Sequence, residues 1–146
     1  MEPATDDRAD FRWTVRVYYE DTDAAGIVYY ANYLKYFERC RTEWLRSLGV
    51  DQSELASRRK LQFVVADLSV RYHRPARLDD SLTIDATLVE KARTYVVFRQ
   101  QARRGAELLA SAQVKVACID VARMAPARVP AEFLDLGATS PDPSLA

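Results

Sequence analysis

Glu20, Asp21 and Asp23 place three carboxylates within four positions, and Ala24-Ala25-Gly26 and the apolar run Ile27-Val28-Tyr29-Tyr30 follow them. Asp, Thr and Gly turn a chain. The pattern beyond them is helical, so the acids stand beside a helix N-terminus, where the first backbone N–H groups lack helical partners and carry partial positive charge. Such a place can hold a reactive carboxylate and, next to it, the oxyanion that grows when a carbonyl is attacked. Asp21, Thr22 and Asp23 also suit an ordinary turn and cap, and their spacing alone leaves both roles open.

The rest of the composition narrows the chemistry. Cys40 and Cys118 are the 2 cysteines, each inside a patterned apolar segment, and His73 is the 1 histidine. Without a Cys-x-x-Cys pair or a His cluster, the reading calls for no metal, no disulfide framework and no cofactor, and both cysteines read as core residues. Lys and Arg number 21 against 21 Asp and Glu, so the overall field recruits neither nucleic acid nor anionic membrane, and any anion site must be local. No apolar run approaches the roughly 20 residues that span a bilayer. The start, Met1-Glu2-Pro3-Ala4-Thr5-Asp6-Asp7, lacks the basic and apolar regions of a signal peptide. A soluble, cytoplasmic protein without membrane insertion is the expectation.

The 146 residues, 49% hydrophobic with 2 Trp, 8 Tyr and 5 Phe, suffice for one core. Residues 1–10 read as a loose tail, 11–135 as the domain and 136–146 as a second tail. Phe11, Trp13, Val15, Val17 and Tyr19 alternate with Arg12, Thr14, Arg16 and Tyr18, the period of a strand with one buried face. A helix over 34–48 carries Tyr33, Phe37, Cys40, Trp44 and Leu48 at spacings of three and four, widened by Leu34, Tyr36 and Leu45. Gly49 stops it. A stripe that wide needs cover on more than one side, so the helix belongs in the concave face of something curved.

Residues 51–61 are polar, with a short helix around 53–58. Four strand-like runs follow. Val64, Ala66, Leu68, Val70 and Tyr72 form one apolar face, and the turn-rich link Arg74-Pro75-Ala76-Arg77-Leu78-Asp79-Asp80 leads to Leu82, Ile84, Ala86 and Leu88. The third run sets Thr94, Val96, Phe98 and Gln100 opposite Tyr95, Val97 and Arg99, and a hairpin at Arg103-Arg104-Gly105-Ala106-Glu107 leads to the fourth, 108–119. Prolines 126, 130, 141 and 143 are expected to break any regular element beyond. Strand, helix, then four strands joined by short turns gives an α+β hotdog fold: a five-stranded antiparallel sheet wrapped around one long central helix. A sheet edge left open argues for a homodimer or a homotetramer.

At this level of detail a specific resemblance emerges. The run from Val15 through Glu20-Asp21-Thr22-Asp23-Ala24-Ala25-Gly26 to Tyr33, with Phe37-Glu38-Arg39-Cys40-Arg41-Thr42-Glu43, resembles the signature of the 4-hydroxybenzoyl-CoA thioesterase-like hotdog enzymes. Within them it is most similar to the Tol-Pal system-associated acyl-CoA thioesterases. Tyr72-His73-Arg74-Pro75-Ala76-Arg77-Leu78-Asp79-Asp80 and Val116-Ala117-Cys118-Ile119-Asp120 extend the resemblance over about residues 12–130.

The resemblance implies hydrolysis of short-chain or aromatic acyl-CoA, with Asp23 as nucleophile or general base. Aspartates ordinarily lose their proton near pH 4, so a carboxylate needs no activating histidine, and a thioester has a good leaving group. It also implies that the Tyr30 N–H stabilises the oxyanion while Gly26 lets the backbone approach. The best-known members carry His where this chain has Tyr30, whereas others in the wider group carry Tyr. His73 reads as a strand-end residue. Lys91 and Arg93, before the strand that starts at Thr94, match where relatives hold CoA phosphates, and they also suit a plain solvated turn. Tyr29 is a candidate lining for the acyl group, while Tyr33 and Tyr36 sit at packing positions. The competing readings are a non-hydrolytic acyl-CoA or acyl-carrier-protein binding module, a dehydratase needing a paired His, and an envelope scaffold. Asp23 favours the enzyme, since binding alone needs no carboxylate facing a thioester.

Overall fold

A computed structural model describes residues 9–134. The first strand, β1 (Phe11–Arg16), pairs antiparallel with β3 (Ser81–Lys91), with Trp13 opposite Ile84. It stops sooner than its alternation predicts. Tyr19 belongs to a 3-10 turn at Tyr19–Asp21 and is 81% exposed, because Asp21 Oδ2 accepts from the Tyr18 N–H at 2.9 Å and bends the chain off the sheet. Helix α1 (Asn32–Ser47) begins two residues before the predicted start. It ends where Gly49, at φ +81°, lets its N–H reach Arg46 O and the Val50 N–H reach Leu45 O, a Schellman closure. Leu48 is the C-cap and is exposed, so it leaves the predicted apolar stripe.

The remaining stripe is buried as expected except for Leu34, which is half-buried. Tyr33, Tyr36, Phe37, Cys40, Trp44 and Leu45 face the sheet, and each large apolar side chain so covered contributes about 1.5–3 kcal/mol. Burial holds the Cys40 thiol up at about 12 and also raises that of Cys118, which fits two core cysteines. The short helix α2 (Gln52–Arg58) is capped by Asp51, whose side chain accepts from the Ser53 and Glu54 N–H groups.

The hotdog architecture stands. β2 (Leu61–Tyr72), β3, β4 (Tyr95–Arg104) and β5 (Glu107–Asp120) are antiparallel, and the sheet runs β1-β3-β4-β5-β2 around α1. A sixth strand, β6 (Ala125–Pro126), pairs with the end of β5, and α3 (Ala131–Leu134) follows. Pro126 therefore ends no structure. It sits at an edge, where its missing N–H costs no ladder bond. The predicted tails lie mostly outside the described residues, as do Pro141 and Pro143. Asp10 is within them and is tied to β3, its N–H donating to Ala86 O. Among the described residues no helix is long and apolar enough to cross a membrane.

Three face assignments change. β2 is an edge strand with a bulge between Val65 and Asp67, and Val64, Ala66, Leu68 and Tyr72 of its predicted apolar face are exposed rather than buried. Asp85, on the polar side of the β3 alternation, is buried, with Oδ1 accepting from the Gln101 N–H at 2.9 Å. Arg103, read as a hairpin residue, is also buried, and Arg103 Nη2 donates to Gln101 Oε1 at 2.9 Å.

The link over 74–80 is fastened by charge. Arg104 donates to Asp80 Oδ2 and to Glu107 Oε1, both at 2.6 Å, and Arg74 reaches Glu107 at 3.3 Å. Burial alone would raise the Asp80 carboxyl, but the Arg77 N–H and the Arg104 guanidinium outweigh it and hold the carboxyl below its usual range. Arg104 does the same for Glu107. Depressed carboxyls stabilise the fold above their ordinary range and lose that effect as pH falls through their lowered values. Arg104→Ala should therefore lower the melting temperature by a few degrees at neutral pH, and the gap from wild type should close as pH drops well below about 4. Melting followed by circular dichroism across pH checks this, and a gap independent of pH would remove the network's role.

Candidate active site

The acidic turn closes on itself through backbone bonds. The Asp23 N–H donates to Ile27 O at 2.9 Å and the Gly26 N–H to Asp23 O at 3.0 Å. Asp23 Oδ1 accepts from the Ala25 N–H at 2.8 Å, so the side chain forms an Asx-turn. One Asp23 oxygen thus shapes the turn, and the residue remains exposed to solvent. Gly26 has φ +80° and a Cβ there would meet nothing within 4 Å. Within the chain its requirement is conformational rather than steric.

A second layer clamps this turn to α1. Asp21 O accepts from the Tyr29 N–H at 2.9 Å and from Asn32 Nδ2 at 2.8 Å. Ala76, fully buried in the charged link, accepts from the Val28 N–H at 2.9 Å and donates its own N–H to the Tyr33 hydroxyl at 3.0 Å. Tyr36 packs below with its hydroxyl enclosed. Burial, and after it the nearby Asp21 carboxylate, pushes that phenol far up, although no hydrogen bond of good geometry joins the two. Tyr33 and Tyr36 are packing residues, as their spacing predicts.

The start of α1 is open. No side chain caps it, and the helix begins with the Asn32 N–H on Tyr29 O at 2.8 Å. Among the described residues nothing accepts from the Tyr30 or Ala31 N–H. The Tyr72 hydroxyl donates to Tyr30 O at 3.0 Å, and the rings of Tyr30 and Tyr72 meet edge-on at 6.1 Å. That bond holds the peptide that carries the open Ala31 N–H and follows the Tyr30 N–H. Tyr29 and Tyr30 are exposed with ring centroids 4.8 Å apart, and the Tyr30 hydroxyl raises the Tyr29 phenol pKa. Asp23, Gly26, Tyr29 and Tyr30 are therefore brought together.

Lys91 and Arg93 are not. They stand at the β3–β4 turn, where Val129 N–H meets Arg93 O at 2.7 Å, whereas the acidic turn adjoins the Ser81 end of β3. Ten residue steps at about 3.3 Å put the two ends roughly 30 Å apart. His73 bonds Ser111 Oγ at 3.0 Å through Nε2 and is a strand-end residue. Sequence reading passed over Asn32, Tyr72 and Ala76. Asn at a helix start is a local signal, but the other two are linked to the turn only through the fold.

The profile described as the thioesterase superfamily matches residues 25–111. The chain belongs to the thioesterase superfamily. It is 45% identical to the acyl-CoA thioesterase YbgC of Haemophilus influenzae over 84% of this chain and 90% of that one. A probable thioesterase from Bartonella henselae shares its fold with TM-score 0.77 and 36% identity, covering 82% of this chain and 98% of that one. A 1,4-dihydroxy-2-naphthoyl-CoA thioesterase from Synechocystis, 24% identical, overlays with TM-score 0.84 over 90% of this chain and 98% of that one, a likeness of fold.

If Gly26 serves by its positive φ, Gly26→Asn should cost little, because Asn tolerates that region, while Gly26→Val should lower stability by about 1–2 kcal/mol. Urea unfolding of both variants checks this. Equal losses would point to a steric role instead.

Proposed function

We propose that this chain is an acyl-CoA thioesterase that hydrolyses short-chain or aromatic acyl-CoA to the free acid and CoA. Asp23 attacks the thioester carbonyl or takes a proton from the attacking water, and the carbonyl oxygen gathers negative charge against the free N–H of Tyr30. The C–S bond then breaks and CoA leaves as thiolate, which takes up a proton; where Asp23 is the nucleophile, water then cleaves the acyl-Asp23 anhydride to release the acid and restore the carboxylate. The observation that carries this reading is the pairing, on one clamped turn, of an exposed carboxylate with an unpartnered N–H at a helix start. The 45% identity to an acyl-CoA thioesterase supports the substrate class.

Asp21 and Asp23 separate the site from its scaffold. Asp21 clamps the turn through its carbonyl, which substitution leaves in place, and its Oδ2 accepts from the Tyr18 N–H, a bond an Asn side chain can also accept. Asp23→Asn should lower kcat at least about 100-fold with little change in KM, and Asp21→Asn should be much milder. Steady-state kinetics on an acyl-CoA panel from acetyl to palmitoyl with benzoyl esters included tests both, and equal rates for wild type and Asp23→Asn would sink the assignment.

The separation of Lys91 and Arg93 from Asp23 supports a site shared between two copies. The exposed apolar edge of β2 suits pairing with a second β2 about a two-fold axis. Antiparallel pairing brings the Tyr72 end of one β2 beside the Leu61 end of the other, which is the end where the β3–β4 turn lies. The other copy's Lys91 and Arg93 would then stand about three strand spacings, roughly 15 Å, from that edge, within reach of the long CoA arm. Such an enzyme acts as a cytoplasmic homodimer or homotetramer.

Mixing Asp23→Asn chains with Lys91→Ala/Arg93→Ala chains tests the sharing. Each mixed dimer would hold one intact site, so activity at low acyl-CoA should return to about a quarter of wild type if chains exchange freely. No recovery, with subunit exchange shown by mass, would place each site within one chain.

A further inference from the structure

Between the middle of α1 and the sheet lies a cavity of about 150 Å³, close to the size that receives one benzene ring in an engineered apolar cavity. Leu45, Phe63, Phe98 and Phe133 form its apolar walls, and Glu38, Arg41 and Thr42 border it from α1. A pocket this apolar has little need of a guanidinium, so the position of Arg41 requires a reason.

That position is fixed by Gln100, which is fully buried. Gln100 Nε2 donates to Phe37 O at 3.0 Å and to Asp85 O at 3.3 Å, so its Oε1 must face away from both carbonyls. Oε1 accepts from Arg41 Nη1 at 2.8 Å. Among the described residues this neutral amide is the one hydrogen-bond partner of the Arg41 side chain, and no carboxylate comes within ion-pair distance of it. Glu38 is exposed at the cavity's rim, where its Oε2 accepts from the Thr42 hydroxyl at 2.7 Å. Burial lowers the Arg41 pKa, and the Glu38 charge opposes that without pairing. Four further guanidinium N–H groups remain on a side chain whose rotamer the Gln100 bond has already set.

We propose that this cavity receives the acyl group and that Arg41 makes it selective for acyl chains ending in a carboxylate, the thioesters of short dicarboxylic acids. A carboxylate meets the guanidinium fork with two parallel bonds, while a methyl end would leave those donors facing hydrocarbon. The inference rests on the thioesterase reading and on the paired copies. Phe63 and Val65 lie near the start of β2, which pairing sets beside the Tyr72 end of the second copy, so each cavity faces the acidic turn across the interface.

Glutaryl-CoA and pentanoyl-CoA share a five-carbon chain and differ at the far end. Wild type should hydrolyse glutaryl-CoA with kcat/KM at least about 10-fold higher, Arg41→Met should reverse the order, and Arg41→Lys should keep part of the preference. A wild-type preference for pentanoyl-CoA, or a glutaryl preference that survives Arg41→Met, would overturn the assignment. Calorimetric titration of both thioesters into Asp23→Asn, with and without Arg41→Met, reads selection without turnover. Tighter glutaryl binding that needs Arg41 sustains the proposal even where hydrolysis fails and the thioesterase reading falls. Equal affinities overturn it whatever the rates.

Discussion

The carbonyl of Asp21 accepts two bonds at once, from the Tyr29 N–H and from Asn32 Nδ2, and the local geometry of the site depends on it. The first bond folds the acidic turn back on the chain, and the second ties that turn to the first residue of α1. Without them the Asp23 carboxylate and the open N–H groups of Tyr30 and Ala31 would sit on segments free to drift apart. Catalysis by electrostatic preorganisation requires that such groups be held before the reaction begins. Ala76 supplies the third point of attachment, and it is held in turn by the charges of Asp80, Arg104 and Glu107. Surface ion pairs are commonly worth little. Here several share one guanidinium and fasten a segment whose backbone serves the turn.

Much of this was legible in the sequence, for a physical reason. Period-two alternation at 82–88 and 96–100 and the wide stripe from Tyr33 to Leu45 are imposed by burial, so they report the sheet and the helix inside it. The acids, the small residues and Gly26 report the turn because few residues adopt its φ. Legibility stopped where a partner is distant in sequence. Tyr72 and Ala76 reach the turn across about 40 residues, and no local pattern marks them. Alternation also misled at β2, where apolar residues that read as core lie exposed along an edge. Period two identifies a face, but it does not say whether that face is covered by the same chain or by another.

Asp85 and Arg103 show the converse error, whereas Gln100 is buried on the face it shares with Val96 and Phe98. Alternation or a turn-like setting puts Asp85 and Arg103 on the wet side, yet both are buried with named partners. Buried polar groups survive only where hydrogen bonds offset their desolvation. For Asp85 and Gln100 the cost is tolerable because each joins elements that must keep register: Asp85 fixes β3 against β4, and Gln100 fixes β4 against α1 through the Phe37 carbonyl.

Tyr30 stands where better-known members of the resembled group have His, and the geometry says why this need not alter the chemistry. The open donor at this position is the backbone N–H, which every residue but proline provides. The Tyr30 side chain is 60% exposed, and it meets Tyr29 and Tyr72 as a ring rather than the turn as a base. A phenol there adds aromatic surface at the mouth of the site, whereas an imidazole would add a group titrating near neutral pH. The substitution therefore acts on what the mouth touches and on how the site responds to pH. The Asp23 carboxylate and the open N–H groups at the start of α1 stay as they are.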